Sequence, residues 1–291
     1  MGKQVTELDA LPSFTDTSLL PVHNGAGLKK GSLSQLANYL GNKFSNPNLL
    51  INPDFKINQR GKSEYTGEIY TVDRWKIKSG SVKTSANGIT VTLNNRGQFI
   101  QLLENTSSGT YTASIKITSI TGDCELYLGQ HTLQLNKAGV FSITETVSIN
   151  SLSLYKSNAG TCTINIEWIK LEQGTVATTF VAPNYAEELL KCERFFIKNP
   201  EIFFIPYAGS RTSFGGTGQY YQNISGLFPV KMRVEPTIKY RIVRQADNST
   251  ISEKISSFGA DNYGISTITM EKSLAYFTLR VIDVEIDAEI Y

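Results

Sequence analysis

Catalysis by a nucleophile or a bound metal often uses histidine, and this chain has two histidines, His23 and His131. They lie far apart, and neither accompanies a Gly-x-Ser-x-Gly nucleophile elbow or a His-Glu-x-x-His zinc helix. Gly61-Lys62-Ser63 imitates the end of a phosphate-binding loop, but Lys56 stands where the first glycine of that loop belongs. The sequence therefore predicts no catalytic residue, no metal site and no cofactor.

Glycoside hydrolysis needs only two carboxylates that meet in space about 5–10 Å apart. Such a pair could come from four residues, Asp73, Glu104, Asp123 and Glu125, although sequence spacing cannot establish that any two of them meet. Polysaccharide-cleaving solenoids contain repeated strands, and this chain has no such repeat. We therefore predict that the protein is not an enzyme, with a depolymerase kept as the less favoured alternative.

A stretch rich in aromatic residues and glycine, from residue 207 to residue 221, is the best candidate for ligand binding. Tyrosine, glycine, serine and asparagine in loops combine rigid aromatic contact with adaptable hydrogen bonds, as in antibody paratopes. We predict glycan contacts on C-terminal loops by four residues: Tyr207, Arg211, Tyr220 and Tyr221. The phenylalanines of the same region could equally serve as core or subunit contacts.

The two tryptophans, Trp75 and Trp168, would make sugar-stacking platforms if they were exposed. Trp168 alternates with Ile164 and Ile166, and residues two apart in a strand share one face. We therefore expect both tryptophans to pack in the core.

The bulk composition excludes several classes of protein. The 291 residues suit two domains, and a hydrophobic content of 40% is enough for a sizeable core. A net charge of +2 gives no electrostatic footprint for nucleic acid, and no apolar run approaches membrane-spanning length. The three cysteines are widely spaced without a Cys-x-x-Cys pair, which favours buried thiols over a disulfide framework.

From residue 47 to about residue 183 the chain has the pattern of short strands between turns. Residues 113–117 alternate between apolar and polar, and Asn87-Gly88 between two apolar runs is a hairpin signal. Many strands at intervals of roughly ten residues indicate an antiparallel β-sandwich or jelly roll.

Two short helices are expected outside that unit. Ser32 and Gln35 form a capping-box pattern before an apolar stripe at residues 33–40, and Asn184 caps a second helix that carries a stripe from Tyr185 to Phe196. Helices this short are marginal alone, so we expect their stripes to dock on a partner surface or on sister chains.

Several segments resemble the tail and fibre proteins of bacteriophages. Asn48–Gly61 and Tyr70–Trp75 resemble the opening of their β-sandwich module. Residues 167–181 resemble the closing strand of carbohydrate-binding-like jelly rolls, and residues 228–237 resemble a Phe-Pro-x-x-Met-Arg-x-x-Pro segment of tail-fibre C-terminal domains. Lys56 departs from related sugar-binding jelly rolls, which often carry glutamate there near a structural calcium, so that metal site is not carried over.

The resemblance implies an all-β protein in three parts. These are an N-terminal virion-attachment segment at 1–46, a jelly-roll β-sandwich at 47–183, and a helix-led second β domain at 184–291. It also implies non-catalytic adhesion to a bacterial host surface, most readily to glycans. A homotrimer would bind other virion proteins through residues 1–46, without binding nucleic acid or entering a membrane.

The resemblance further implies a location in the virion after assembly in the bacterial cytoplasm. Whether the protein is a tail fibre or a head fibre stays open. A decoration or joining protein that binds only other virion subunits is the alternative.

Overall fold

The computed structural model describes residues 19–23, 28–33, 35–36, 45–198, 220–222, 226–244, 255–270 and 279–289. The strands before the helix are β1 Leu19–His23, β2 Leu28–Ser32, β3 Glu64–Thr66, β4 Ile69–Tyr70, β5 Lys76–Ser85, β6 Gly88–Thr121, β7 Cys124–Leu128, β8 His131–Leu135, β9 Gly139–Tyr155 and β10 Cys162–Gln173. Helix α1 spans Tyr185–Glu193, and after it come β11 Phe196–Lys198, β12 Tyr220–Gln222, β13 Gly226–Leu227, β14 Thr237–Arg244, β15 Ile255–Ala260, β16 Gly264–Met270 and β17 Leu279–Asp287. The predicted all-β class is confirmed.

A β-sandwich occupies β3 to β10. Its strands follow the order β3-β5-β6-β9-β7-β8, with β10 beside β6 and β4 beside β5. The 34-residue strand β6 pairs with β10 through residues 89–93 and 111–121, and with the end of β9 through residues 98–102. Because different stretches of β6 pair with different strands, the strands surround one hydrophobic core. The predicted β-sandwich is confirmed.

Trp75 lies at the centre of that core, as predicted. It is 1% exposed and stacks on Phe99 with ring centroids 4.8 Å apart, while Phe55 tilts against it at 5.4 Å. The predicted hairpin also forms, since Ser85 of β5 pairs with Gly88 of β6, whose φ is 116°. A glycine suits that positive φ because it has no Cβ to clash.

Trp168 does not belong to this core, so the prediction of a buried Trp168 is wrong. Ile166 pairs with Ile117 and Trp168 with Lys116, so two steps along β10 match one step along β6. This irregularity interrupts the alternation on which the prediction relied. Trp168 is half-buried and stacks on Phe180 with centroids 4.7 Å apart.

Helix α1 begins at the residue that the capping pattern indicates. The side chain of Asn184 accepts from the backbone nitrogens of Ala186 at 3.0 Å and Glu187 at 3.3 Å. The far end of the helix packs on its own chain, because Cys192 is fully buried, whereas Tyr185 is 60% exposed. The expected apolar stripe is thus covered at one end without a partner chain.

The C-terminal strands form two sheets among the described residues. In the first, which we call the C-terminal sheet, β17 lies between β11 and β14. In the second, β16 pairs with β12, β13 and β15. The sequence from Val284 to Tyr291 alternates between apolar and acidic residues up to Glu289, which predicts a strand with its acids on one face. Val284 and Ile286 of β17 are buried and Glu285 and Asp287 are half-buried, which confirms that alternation over these residues. The domain boundaries at 46 and 183 stay a prediction.

The N-terminal segment is described in part. Strands β1 and β2 pair with each other, and the predicted capping box forms. The backbone nitrogen of Ser32 donates to Oε1 of Gln35 at 2.8 Å, and that of Gln35 donates to Oγ of Ser32 at 3.1 Å. Most of the predicted helix at 33–40 lies outside the described residues.

Two further sequence expectations concern membranes and cysteines. Within the described part of the chain, no helix has the length and apolarity needed to cross a membrane. All three cysteines, Cys124, Cys162 and Cys192, are buried free thiols, as predicted.

Candidate functional site

The side chain of Asn52 closes the opening motif, residues 48–61 and 70–75, on itself. Its Nδ2 donates to the backbone oxygens of Ile57 at 2.8 Å and Asp73 at 3.1 Å, and its Oδ1 accepts from the backbone nitrogen of Ile57 at 3.0 Å. The indole nitrogen of Trp75 donates to the backbone oxygen of Asn52 at 2.9 Å. Trp75 therefore anchors the folded motif to the sandwich core.

The opening motif also holds helix α1 and strand β11. Oε1 of the buried Glu188 accepts from the backbone nitrogen of Asn52 at 2.5 Å. Nε2 of Gln59 donates to the backbone oxygen of Phe196 at 2.7 Å and to Oδ1 of Asp73 at 2.8 Å. These bonds tie the segment after the sandwich to the motif that opens it.

A buried ion pair completes this connection. Nη1 of Arg74 lies 2.5 Å from Oε2 of Glu289, and the two side chains are 1% and 0% exposed. Arg74 also donates to the backbone oxygen of Leu102 at 2.7 Å, and its guanidinium lies 3.5 Å from the Phe195 ring centroid. Burial raises the pKa of Glu289, although the charges of Arg74 and Arg60 act in the opposite direction.

We call this set of contacts the joint: Asn52, Gln59, Asp73 and Arg74 of the opening motif with Glu188, Phe196 and Glu289. The residues that make the motif recognisable in the sequence thus connect the sandwich to the C-terminal sheet. In the described structure these residues hold the sandwich and the C-terminal sheet next to each other.

A cleft of about 530 Å³ opens beside the joint, between the sandwich and the C-terminal sheet. Five cationic side chains line it: Arg60, Lys62, Lys76, Lys198 and Lys239. Three carboxylates join them: Glu68, Glu285 and Asp287. The remaining lining comes from Tyr65, Ile69, Tyr70 and Phe196. The accessible lining of the cleft is therefore mainly charged, because Tyr65, Tyr70 and Phe196 are buried.

Arg60 is held on the wall of the cleft by aromatic rings. Its guanidinium lies 3.8 Å from the ring centroid of Phe196 and 5.5 Å from that of Tyr70. Its Nη2 lies 3.5 Å from Oε1 of Glu289, whose other oxygen Arg74 binds more closely. Nη1 of Arg60 is buried and has no hydrogen-bond partner within the described ranges.

Lysines and carboxylates alternate on the rest of the wall. Lys76 lies 3.1 Å from Glu68 where the sandwich lines the cleft. Across the C-terminal sheet, Glu285 of β17 is the register partner of Lys198 in β11 and of Lys239 in β14. Its carboxylate lies 3.7 Å from Lys198. Glu285 therefore has a lysine on each neighbouring strand and forms an ion pair with one of them, Lys198.

Two tyrosines contribute to the cleft from the sandwich side. Tyr65 is 2% exposed, and its hydroxyl donates to Oδ1 of Asn58 and accepts from the backbone nitrogen of Lys62 at 3.3 Å. Burial, followed by the charge of Glu289, raises the pKa of Tyr70 well above its ordinary value. Tyr70 is therefore a neutral hydrogen-bonding group throughout the physiological pH range.

The four predicted contact residues have different outcomes. Tyr207 and Arg211 lie outside the described residues. Tyr220 and Tyr221 lie in strand β12, paired with Met270 and Thr269 of β16, and not on a loop as expected. Their side chains are outside the described part of the structure, so their contact with a glycan stays a prediction.

Sequence reasoning missed the cleft because its residues come from distant segments. Lys62 belongs only to a false phosphate-binding pattern in the sequence, and no motif includes Lys239. The strict alternation of the last strand did place Glu285 and Asp287 on one face, which was the one usable sign.

The four carboxylates considered for glycoside hydrolysis all have neighbours that bind them. Asp73 accepts from the backbone nitrogen of Gln59 at 2.7 Å. The other three have these partners: Glu104 with Arg194 at 2.8 Å, Asp123 with Lys156 at 3.1 Å, and Glu125 with Gln134 at 2.8 Å. Burial raises the pKa of Asp73, although Arg60 and Gln59 act against that rise. These contacts suit structural roles.

Histidines and metal ligands give no further site in the described ranges. Nδ1 of His131 lies 3.6 Å from Oε2 of Glu145 on the sandwich surface, and His23 lies in β1. No group of three or more metal-ligating side chains is found among the described residues. Lys56, which follows Phe55, lies 3.2 Å from Asp54.

Comparison with known proteins gives only distant structural likeness. No family model and no curated protein matches the chain. The C-terminal CBM6 of LamC, a marine laminarinase from Zobellia galactanivorans, is 16% identical at a TM-score of 0.25, with 40% of this chain and 97% of that chain covered.

A family 29 carbohydrate-binding module is 6% identical at a TM-score of 0.27, with 42% of this chain and 100% of that chain covered. Discoidin II from Dictyostelium discoideum is 12% identical at 0.17, with 67% of this chain and 76% of that chain covered. Likenesses this low carry no argument about the function of this chain.

Proposed function

We propose that the protein is a non-catalytic adhesin that binds a glycan of a bacterial host surface in the cleft. The cleft itself carries this proposal, because it gathers eight charged side chains in a volume of about 530 Å³, with the buried rings of Tyr65, Tyr70 and Phe196 behind them. Sugars offer many hydroxyl groups, which exchange hydrogen bonds with charged side chains.

The location that we propose is a virion fibre of a bacteriophage, assembled in the bacterial cytoplasm, on the tail or on the head. Residues 1–46 would bind other virion proteins. The hairpin supports this role, since β1 and β2 pair with no other strand of the described structure. A hairpin alone is marginally stable in water, and Leu19 and Leu36 are 60% and 40% exposed.

Assembly as a homotrimer is part of the same proposal. Single sugar sites bind weakly because hydrogen bonds to sugar hydroxyls replace hydrogen bonds to water at little net gain. Three cleft copies would raise the overall affinity through effective concentration. Three exposed apolar side chains near α1 remain for subunit contact: Val181, Tyr185 and Leu190. Light scattering on purified protein tests this point, and a monomer at micromolar concentration would contradict it.

The alternative function is a decoration or joining protein that binds only virion subunits. The exposed Leu19 and Leu36 favour it as much as they favour an anchored adhesin. Binding to host cells separates the two functions, because only the adhesin has a partner there. Release of reducing sugar from host envelopes would instead indicate the depolymerase.

The test blocks the cleft without changing its charge. Ile69 of β4 is 36% exposed and lines the cleft, so Ile69→Trp should fill part of the space while keeping a strand-compatible side chain. Val140 of β9 is 61% exposed and does not line the cleft, so Val140→Trp is the matched control.

The expected result is that wild type and Val140→Trp bind host cells and compete with adsorption of the whole phage. Ile69→Trp should lose most of this binding while keeping the same thermal unfolding midpoint. Equal binding by Ile69→Trp and wild type would remove the cleft from the proposal. Binding of host and unrelated cells at the same low level would favour the structural alternative.

A further inference from the structure

We infer that the glycan taken by the cleft carries an acid group, a carboxylate or a phosphate, which lies between the ammonium groups of Lys62 and Lys239. This inference rests on the proposed function, because it names the ligand class of the same cleft. Both lysines are exposed and line the cleft, Lys62 from the sandwich side and Lys239 from strand β14.

The charge on the cleft wall is the first argument. Five cationic side chains and three carboxylates give an excess of two positive charges within one cleft. The whole chain of 291 residues has a net charge of +2, so the positive excess at the cleft is as large as that of the entire protein. Arg74 and Glu289 lie behind the wall and neutralise each other, so their inclusion leaves the excess unchanged.

The second argument is that the excess can be assigned to particular groups. Neither Lys62 nor Lys239 has an ion pair within 4 Å among the described residues. Glu285, the register partner of Lys239, directs its carboxylate to within 3.7 Å of Lys198. Within the described part of the chain, both ammonium groups are therefore available to a ligand, and an anionic oxygen is the group that each would bind most strongly.

The third argument concerns Arg60, which fixes positive charge beside these lysines. Its guanidinium is held by the rings of Phe196 and Tyr70, and its contact with Glu289 at 3.5 Å is long for an ion pair. The two rings therefore fix the position of this guanidinium on the wall. The wall presents this positive charge to an entering sugar.

The carboxylates complete the match to a sugar rather than to a bare anion. Glu68 and Asp287 line the same cleft, and carboxylate oxygens accept hydrogen bonds from sugar hydroxyls. An inorganic anion brings no sugar hydroxyls to donate to these carboxylates, and their negative charge would repel it. A sugar ring that carries one acid group can bind the lysines through that group and the carboxylates through its hydroxyls.

The test measures binding of six compounds to the full chain by titration calorimetry. The compounds are glucose, glucuronic acid, glucose 6-phosphate, galactose, galacturonic acid and inorganic phosphate. We expect at least one acid sugar to bind about tenfold or more tightly than its neutral counterpart, since a charge-assisted bond contributes that much. Comparing the two uronic acids with glucose 6-phosphate shows whether the acid group is a carboxylate or a phosphate.

The double variant Lys62→Ala/Lys239→Ala should reduce that preference to about twofold or less, because both contacts to the acid group are removed. Lys137→Ala, which removes an exposed lysine of the loop between β8 and β9, should keep the full preference. The preference of the wild type should also shrink as sodium chloride is raised, because both lysines are exposed to solvent.

Three results would overturn the inference. Neutral and acid sugars binding equally would leave a glycan site without acid specificity, and the proposed function would stand. Inorganic phosphate binding as tightly as glucose 6-phosphate would indicate a simple anion site. Binding of none of the six compounds at millimolar concentration would also contradict it, while the cell-binding test with Ile69→Trp decides the proposed function separately.

Discussion

The joint predicts a large cost for removing the charge of Arg74. The Arg74→Met variant keeps most of the side-chain volume but leaves Glu289 buried, with Arg60 at 3.5 Å as its remaining cationic partner. Breaking a buried ion pair by removing one partner costs about 3–5 kcal/mol. The lost bond to Leu102 and the lost contact with the Phe195 ring act in the same direction, so we expect the upper half of that range.

The pH dependence of this cost follows from the titration of Glu289. Burial already raises its pKa in the wild type, and loss of Arg74 would raise it further. Glu289 can then become neutral by taking up a proton as the pH falls. The destabilisation by Arg74→Met should therefore be greatest at neutral pH and smaller in mildly acidic solution.

A double-mutant cycle in urea, followed by the fluorescence of the buried Trp75, measures the coupling. Arg74→Met/Glu289→Gln should be more stable than the sum of the two single changes indicates. Arg241→Met is the control, because Arg241 and Asp283 are paired at 2.8 Å but are 46% and 62% exposed. That control should cost below about 1 kcal/mol. Equal costs for Arg74→Met and Arg241→Met, or strict additivity in the cycle, would refute the reasoning.

Two further predictions concern stability. Trp75→Ala should cost about 3–5 kcal/mol because Trp75 is 1% exposed, whereas Trp168→Ala should cost clearly less because Trp168 is half-buried outside the core; equal midpoint shifts in urea would contradict this. Burial raises the folded-state pKa of Asp73 above its ordinary value of 3.8, so its contribution to stability is fully present below 3.8 and is lost as the pH rises through the raised pKa. The unfolding free energy of wild type relative to Asp73→Asn should accordingly increase as the pH is lowered through that window, and a constant difference would show that Asp73 titrates normally.

Local patterns in the sequence predicted the local structure well. The strand at residues 113–117, the Asn87-Gly88 turn, the Ser32 capping box and the Asn184 cap depend on residues close together in the chain, and each is found. The failure at Trp168 is of another kind. The register irregularity between Ile166 and Trp168 in β10 interrupts the alternation, and no residue type in that strand predicts it.

The cleft could not be predicted because it exists only through long-range packing. Its walls come from residues 60–76, 196–198, 239 and 285–287, and the joint brings them together. The opening motif was recognisable by resemblance, but the pairing of Arg74 with Glu289 is set by the three-dimensional fold. Sequence reasoning instead favoured the aromatic stretch at 207–221, whose position beside a ligand stays a prediction.

The most direct test of a glycan site in this cleft is a crystal structure of the full chain with a bound acid sugar. We predict a sugar ring between the sandwich and the C-terminal sheet, with its acid group within hydrogen-bonding distance of Lys62 and Lys239. A sugar found instead on the Trp168–Phe180 stack, or on Tyr220 and Tyr221, would contradict the assignment of the cleft.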